Sequence, residues 1–278
     1  MTVPRQSLFC DLALAHRIEA AEAGLVAAGA EAAGARGDGF VIPVAGGVAA
    51  FADVGSPLNK VAGLGFAGTP TPAELDRIED EFARRGAPVQ VELAHLADPD
   101  IGAALTARGY RLVGFENVLG RALADLPLPV APGGVDVRRS GDEEFDLWVD
   151  VLSEGIATPD VKGVVSHESF PREVLAAAMR DMAASGAARY LAWVGGTAAG
   201  GASVRVVDGV AQMTGAATIP AQRRRGVQAA LLAARLADVV AAGCDVAVVT
   251  TQGGSTSQNN VQRQHFDLLY TRAVLVKG

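Results

Sequence analysis

The chain has 278 residues, half of them hydrophobic, with 24 Lys and Arg against 31 Asp and Glu and a formal charge of −7. That is enough apolar material for one large core or two ordinary ones, and the negative balance excludes a nucleic-acid-binding surface spread over the whole molecule. Cys10 and Cys244 are too few for a disulfide framework or a Cys-rich metal site, and no apolar run has the length of a signal peptide or a membrane span. A soluble, cytoplasmic protein with two free thiols and no bound metal is expected.

Taken in order, residues 8–35 read as an Ala/Leu-rich helix interrupted by Gly24, Gly29 and Gly34. Two apolar runs, 40–44 and 48–51, flank Gly46-Gly47 as a hairpin, and a third strand spans 60–66. Thr71, Pro72 and Glu74 have the pattern of a capping box with proline in the first turn, predicting a helix to about Arg85 that Gly86 stops. A strand at 89–93, a short helix from Asp98-Pro99 to Ala107 and a strand from Arg111 to about Leu123 follow.

Pro127, Pro129, Pro132, Gly133 and Gly134 crowd into one stretch, which places a linker at 125–134 between domains 1–124 and 135–278. The second half opens with a short strand, 135–138, and an amphipathic helix, 141–155. A helix over 166–184 comes next, and Pro171 either marks its true start or interrupts it. Runs at 189–194 and 198–206 flank Gly195-Gly196, and Asp208-Gly209 turns the chain into a strand over 210–219. A basic Gly-bearing loop, Arg223-Arg224-Arg225-Gly226, then opens an apolar helix over 229–242. A strand at 244–251, a short helix at 257–264 and a strand at 267–276 close the chain.

The two halves share an order of hairpin, strand, helix, strand, short helix and closing strand. Tyr110-Arg111-Leu112-Val113 resembles Phe266-Asp267-Leu268-Leu269, and Val118-Leu119 resembles Val274-Leu275 at the same separation. Two divergent copies of one α/β unit account for this. A strand that turns through a basic, glycine-bearing loop into a helix is also a ready anion site, because the first helical N–H groups lack intrahelical partners and carry the positive end of the dipole.

On these residues the second half resembles the GCN5-related N-acetyltransferase (GNAT) family. Its acyl-CoA signature, Arg/Gln-x-x-Gly-x-Gly/Ala, stands here as Arg223-Arg224-Arg225-Gly226-Val227-Gln228, with Gln228 where Gly or Ala is usual. Ser257-Gln258-Asn259 and His265-Phe266 are similar to the family's Asn-bearing helix and Gly-Phe pair. The resemblance implies two GNAT-like domains of α/β (α+β) class, each a mixed, mostly antiparallel sheet flanked by helices, the first degenerate and without a CoA site.

It further implies acetyl-CoA as co-substrate, a small amine, amino acid or peptide N-terminus as acceptor, and direct attack. The protein would act as a monomer or homodimer, without nucleic acid, membrane or metal. Residues 224–228 would cradle the pyrophosphate with the Arg223, Arg224 and Arg225 side chains nearby. The pantetheine arm would run along Ala217, Thr218 and Ile219, Asn259 would bond its amides, and the Ile219 N–H would stabilise the oxyanion. The tyrosine acid that many members carry one turn before the Gly-Phe pair is replaced by Val261. Ser257 is a candidate acid, or simply a helix N-cap. Glu154, His167, Glu168 and Tyr270 are further acid or base candidates among which the sequence does not choose. A catalytically weak CoA-binding or regulatory module is the alternative.

Overall fold

The computed structural model describes residues 7–37, 39–124, 127–158, 163–164 and 167–278. The first half supplies α1 (Leu12–Gly34), β1 (Phe40–Val44), β2 (Gly47–Phe51), β3 (Lys60–Ala62), α2 (Pro72–Arg84), β4 (Val89–Ala94), α3 (Asp100–Ala107) and β5 (Arg111–Ala122). The second supplies β6 (Asp136–Arg139), α4 (Phe145–Ala157), α5 (Arg172–Ala183), β7 (Ala188–Val194), β8 (Thr197–Val207) and β9 (Val210–Gln212). It continues with β10 (Ala217–Thr218), α6 (Val227–Ala241), β11 (Val246–Gln252), α7 (Thr256–Gln262) and β12 (Asp267–Lys277). The expected start of α5 near Ser166 lies outside the described residues, and Pro171 stands as its N-cap.

Local chemistry accounts for most boundaries. The Asp11 carboxylate accepts the Leu14 N–H at 2.8 Å and caps α1, which then runs unbroken through its glycines. Those glycines permit close packing: a Cβ on Gly29 would lie 2.8 Å from Leu58 Cδ1. At the head of α2 the capping box is complete, with Thr71 Oγ1 accepting the Glu74 N–H and the Glu74 carboxylate accepting the Thr71 N–H.

The sheet order is β1-β2-β3-β4-β12-β5-β11-β9-β8-β7-β6, with β10 on β8. Neighbours are antiparallel except β3 with β4 and β9 with β11, the two pairs joined through the crossover helices α2 and α6. Each half is thus a mixed, mostly antiparallel sheet flanked by helices. Their closing strands are exchanged: β5 of the first half pairs with β11 over Glu116–Ala122, and β12 of the second pairs with β4 over Val89–Ala94. Between them β5 and β12 pair with each other. The two sheets therefore join into one.

Helices α2, α3, α6 and α7 pack on one face, where Phe82, Ile101, Leu105, Leu231, Leu236 and Val261 are buried. The other face carries α1, α4 and α5. Helix α1 lies over the middle of the joined sheet, packing Ala15, Ile18 and Ala21 against Val118, Val210, Val246, Val248 and Tyr270. A first-half helix therefore covers strands of the second half. No helix among the described residues is long and apolar enough to cross a membrane.

Candidate functional site

The sequence predicts one strand over 210–219, but the structure breaks it in two, and the break builds the site. β9 runs parallel to β11 from Val210↔Val246 to Gln212↔Val248, and the Met213 N–H still bonds the Val248 carbonyl at 2.8 Å. Beyond that point the chain leaves β11, and β10 pairs only with β8. Gly215 makes the departure at φ +45°, a conformation that suits a residue without Cβ. Ser203 holds the departing chain through Ser203 N to Thr214 O (3.1 Å) and a hydroxyl pair with Thr214 (2.8 Å). The buried Arg235 guanidinium of α6 donates to Ser203 O at 2.9 Å, and burial pulls its pKa down to about 10. The result is a notch between β10 and the free end of β11.

The notch leads to the N-terminus of α6. Gly226 is the N-cap at φ +82° and offers no side chain to the helix, and among the described residues no acceptor meets the N–H groups of Val227, Gln228 and Ala229. Arg224 also takes a left-handed conformation (φ +65°). Arg224 and Arg225 are exposed, and neither has a salt-bridge partner among the described residues. Arg223 behaves differently. Its guanidinium turns inward to the carbonyls of Thr218 (3.4 Å), Gly155 (3.4 Å) and Thr158, tying the loop to β10 and the end of α4. Close packing continues beneath: a Cβ on Gly200 would lie 2.6 Å from Val227 Cγ1 and 2.8 Å from Ala217 O.

Other expected site residues fall as follows. The Ile219 N–H is taken by Ala199 O at 3.1 Å, so it faces β8 and is not available to a thioester. Strand alternation leaves the Thr218 N–H facing away from β8, on the edge where Arg223 donates to the Thr218 carbonyl. Val227 is buried as the first residue of α6, and Gln228 accepts a hydrogen bond from Asn260 of α7. Asn259 is exposed on α7. Ser257 is inside α7, whose N-cap is Ser255 with Oγ accepting the Gln258 N–H at 3.1 Å. Glu154 is exposed. His167 lies against the first half, 3.0 Å from Gln90 Oε1, with Glu168 4.0 Å away. Tyr270 faces the core, its hydroxyl bonding Glu19 at 2.7 Å, and burial pushes its pKa far up.

Beneath α1 the sequence reading missed a buried charge network. Arg272, 1% exposed, lies 2.8 Å from Glu19, 3.8 Å from Glu92 and 3.9 Å from Glu22, while Lys60 bonds Glu92. Glu116 stands beside them, and burial, reinforced by Glu92, raises its pKa to about 7. A cavity of about 220 Å³ opens next to the network, bounded by Glu22 of α1, Gln212 to Gly215 of the departing chain, Thr250 of β11 and Arg272. Nothing local in the sequence marks Glu19 or Glu22, since the sheet they face is assembled from distant segments. A shallower recess of about 450 Å³ lies at the outer edge of the sheet, lined by Asp136, Arg138 and Trp193. Among the described residues no group of three or more His, Cys, Asp or Glu is placed to hold a metal ion.

No family model and no curated protein matches the chain. Solved structures do. A GCN5-related N-acetyltransferase from Kribbella flavida superposes with a TM-score of 0.68, covering 95% of this chain and 95% of its own at 21% identity. A tandem GNAT protein from the clavulanic acid biosynthesis pathway gives 0.59 over 86% of this chain and 78% of its own at 14% identity. A GCN5-related N-acetyltransferase from Sphaerobacter thermophilus gives 0.56 over 74% and 66% at 15% identity. The chain has the GNAT fold, in a tandem arrangement.

Proposed function

We propose that this protein is an acyl-CoA N-acyltransferase that carries an acetyl group from acetyl-CoA to the amine of a small molecule, amino acid or peptide. The observation that carries the reading is the notch between β10 and β11, which opens onto the uncapped N-terminus of α6. An anionic pyrophosphate suits the open N–H groups of Val227, Gln228 and Ala229, with Arg224 and Arg225 supplying charge. An extended pantetheine arm suits the edge of β10 that faces away from β8, where the Thr218 N–H would polarise the thioester carbonyl. Attack by the amine forms the C–N bond and expels the thiolate.

The CoA site belongs in this reading to the second half alone. At the corresponding helix start of the first half, Thr71 and Glu74 already fill the N–H positions, and the Glu74 carboxylate would repel a phosphate.

Calorimetry with CoA and a thiol-release assay over a panel of amines test the proposal. Micromolar CoA binding that drops at least about tenfold in an Arg225→Ala, Gly226→Glu double variant is expected. Absence of CoA binding to the native protein overturns the reading. Binding without turnover on every acceptor would leave a CoA-binding module in its place.

A further inference from the structure

Resting on the acyl-transfer reading, we propose that the cavity beneath α1 takes the acceptor as a small primary ammonium ion without a carboxylate of its own, and that Glu22 pairs with that ammonium and accepts its proton. The cavity lies where the two strands part: Thr214 and Gly215 lead into β10, and Thr250 belongs to the part of β11 beyond its pairing with β9. Its volume of about 220 Å³ limits the guest to a compact molecule, and Leu25, Val118 and Met182 give it apolar walls.

The charge around Glu22 decides the sign of the guest. Among the described residues Glu19 on the same helix, Lys60 of β3, Glu92 of β4, Glu116 of β5, Arg205 of β8 and Arg272 of β12 are the ionisable groups that act on it, with Tyr270 behind them on Glu19. Arg272 is ringed by Glu19, Glu22 and Glu92, and Lys60 is held by Glu92, so neither cation is free for a ligand carboxylate. Arg205 is anchored through Nε to Ser185 O and through Nη1 to Ala21 O and Gln212 Oε1, and it does not line the cavity. Glu22 itself is fixed by Gln212 Nε2 at 3.1 Å, and its side chain is 20% exposed at the cavity. Among these carboxylates Glu22 is the one that lines the cavity, so an ammonium guest meets it directly, whereas a carboxylate guest would have to compete with Glu19, Glu22 and Glu92 for Arg272.

The step balances. The ammonium gives one proton to the Glu22 carboxylate, and the freed nitrogen lone pair forms the bond to the thioester carbon. The carbon–sulfur bond breaks, the second nitrogen proton ends on the thiolate, and Glu22 releases its proton to water.

Calorimetric titration of the protein–CoA complex at neutral pH with butylamine and with γ-aminobutyrate tests the assignment. Butylammonium is expected to bind at least about tenfold more tightly, and Glu22→Gln to remove most of that preference while CoA affinity stays within about twofold. Equal affinity for the two amines, or no binding of either, overturns the assignment even if the variant fails to fold, because native protein alone decides it. So does a variant that keeps the full preference. Failure of the acyl-transfer reading shows separately, as absence of CoA binding.

Discussion

At the scale of single residues, three adjacent arginines do different jobs. Arg224 and Arg225 are exposed charges beside open helix N–H groups, whereas Arg223 ties β10 to α4. Replacing Arg224 or Arg225 by Ala is expected to weaken CoA binding in a salt-dependent way and to change stability by no more than about 0.5 kcal/mol. Arg223→Ala is expected to cost about 1–3 kcal/mol in a denaturant melt, because three carbonyls lose their donor. Glu116 carries a pH signature. Its folded pKa of about 7 lies above its ordinary value of 4.5, so the folded state binds more protons and stability falls as pH rises between those values. Glu116→Gln removes that slope. The variant should gain on the order of 2 kcal/mol relative to native protein at alkaline pH and nothing under acid conditions. A native melt that is flat across this range would rule out the buried carboxyl.

Elements place these residues. The helix α6 approaches β8 so closely that Gly200 has no room for a methyl group, and the same contact sets the height of β10. Gly200→Ala is expected to destabilise by about 1–3 kcal/mol and to cost CoA affinity as well, because α6 and β10 must shift together. Unchanged CoA affinity in a folded Gly200→Ala protein would separate the two. The loop was legible in sequence because its signal is local: a glycine, clustered basic residues and an apolar helix after them. The strand break was half legible. Gly215 inside an apolar run is a bulge signal, but where β11 stops holding its neighbour depends on Ser203 and Arg235, which reach it from other elements.

The whole molecule is stitched by exchanged strands. β5 and β12 lie between the halves, and α1 spans the seam, so neither sheet is complete without the other half. A single cooperative melt is expected, with amides of β5 and β12 exchanging only through global opening in hydrogen-exchange measurements. Two resolved transitions would show that the halves fold independently.

The sequence by itself determined the order of most elements, the repeat and the basic, glycine-bearing turn into α6, while joining β9 and β10 into one strand. Caps, turns and hydrophobic periodicity act over a few residues and leave their mark in the local string. Only the tertiary structure decided which strand closes which sheet, which N–H faces the notch, and that Glu19 and Glu22 of α1 meet Arg272 of the last strand. Strand pairing joins residues more than a hundred positions apart and buried ion pairs join residues more than two hundred apart, and their partners acquire meaning only when the chain brings them together.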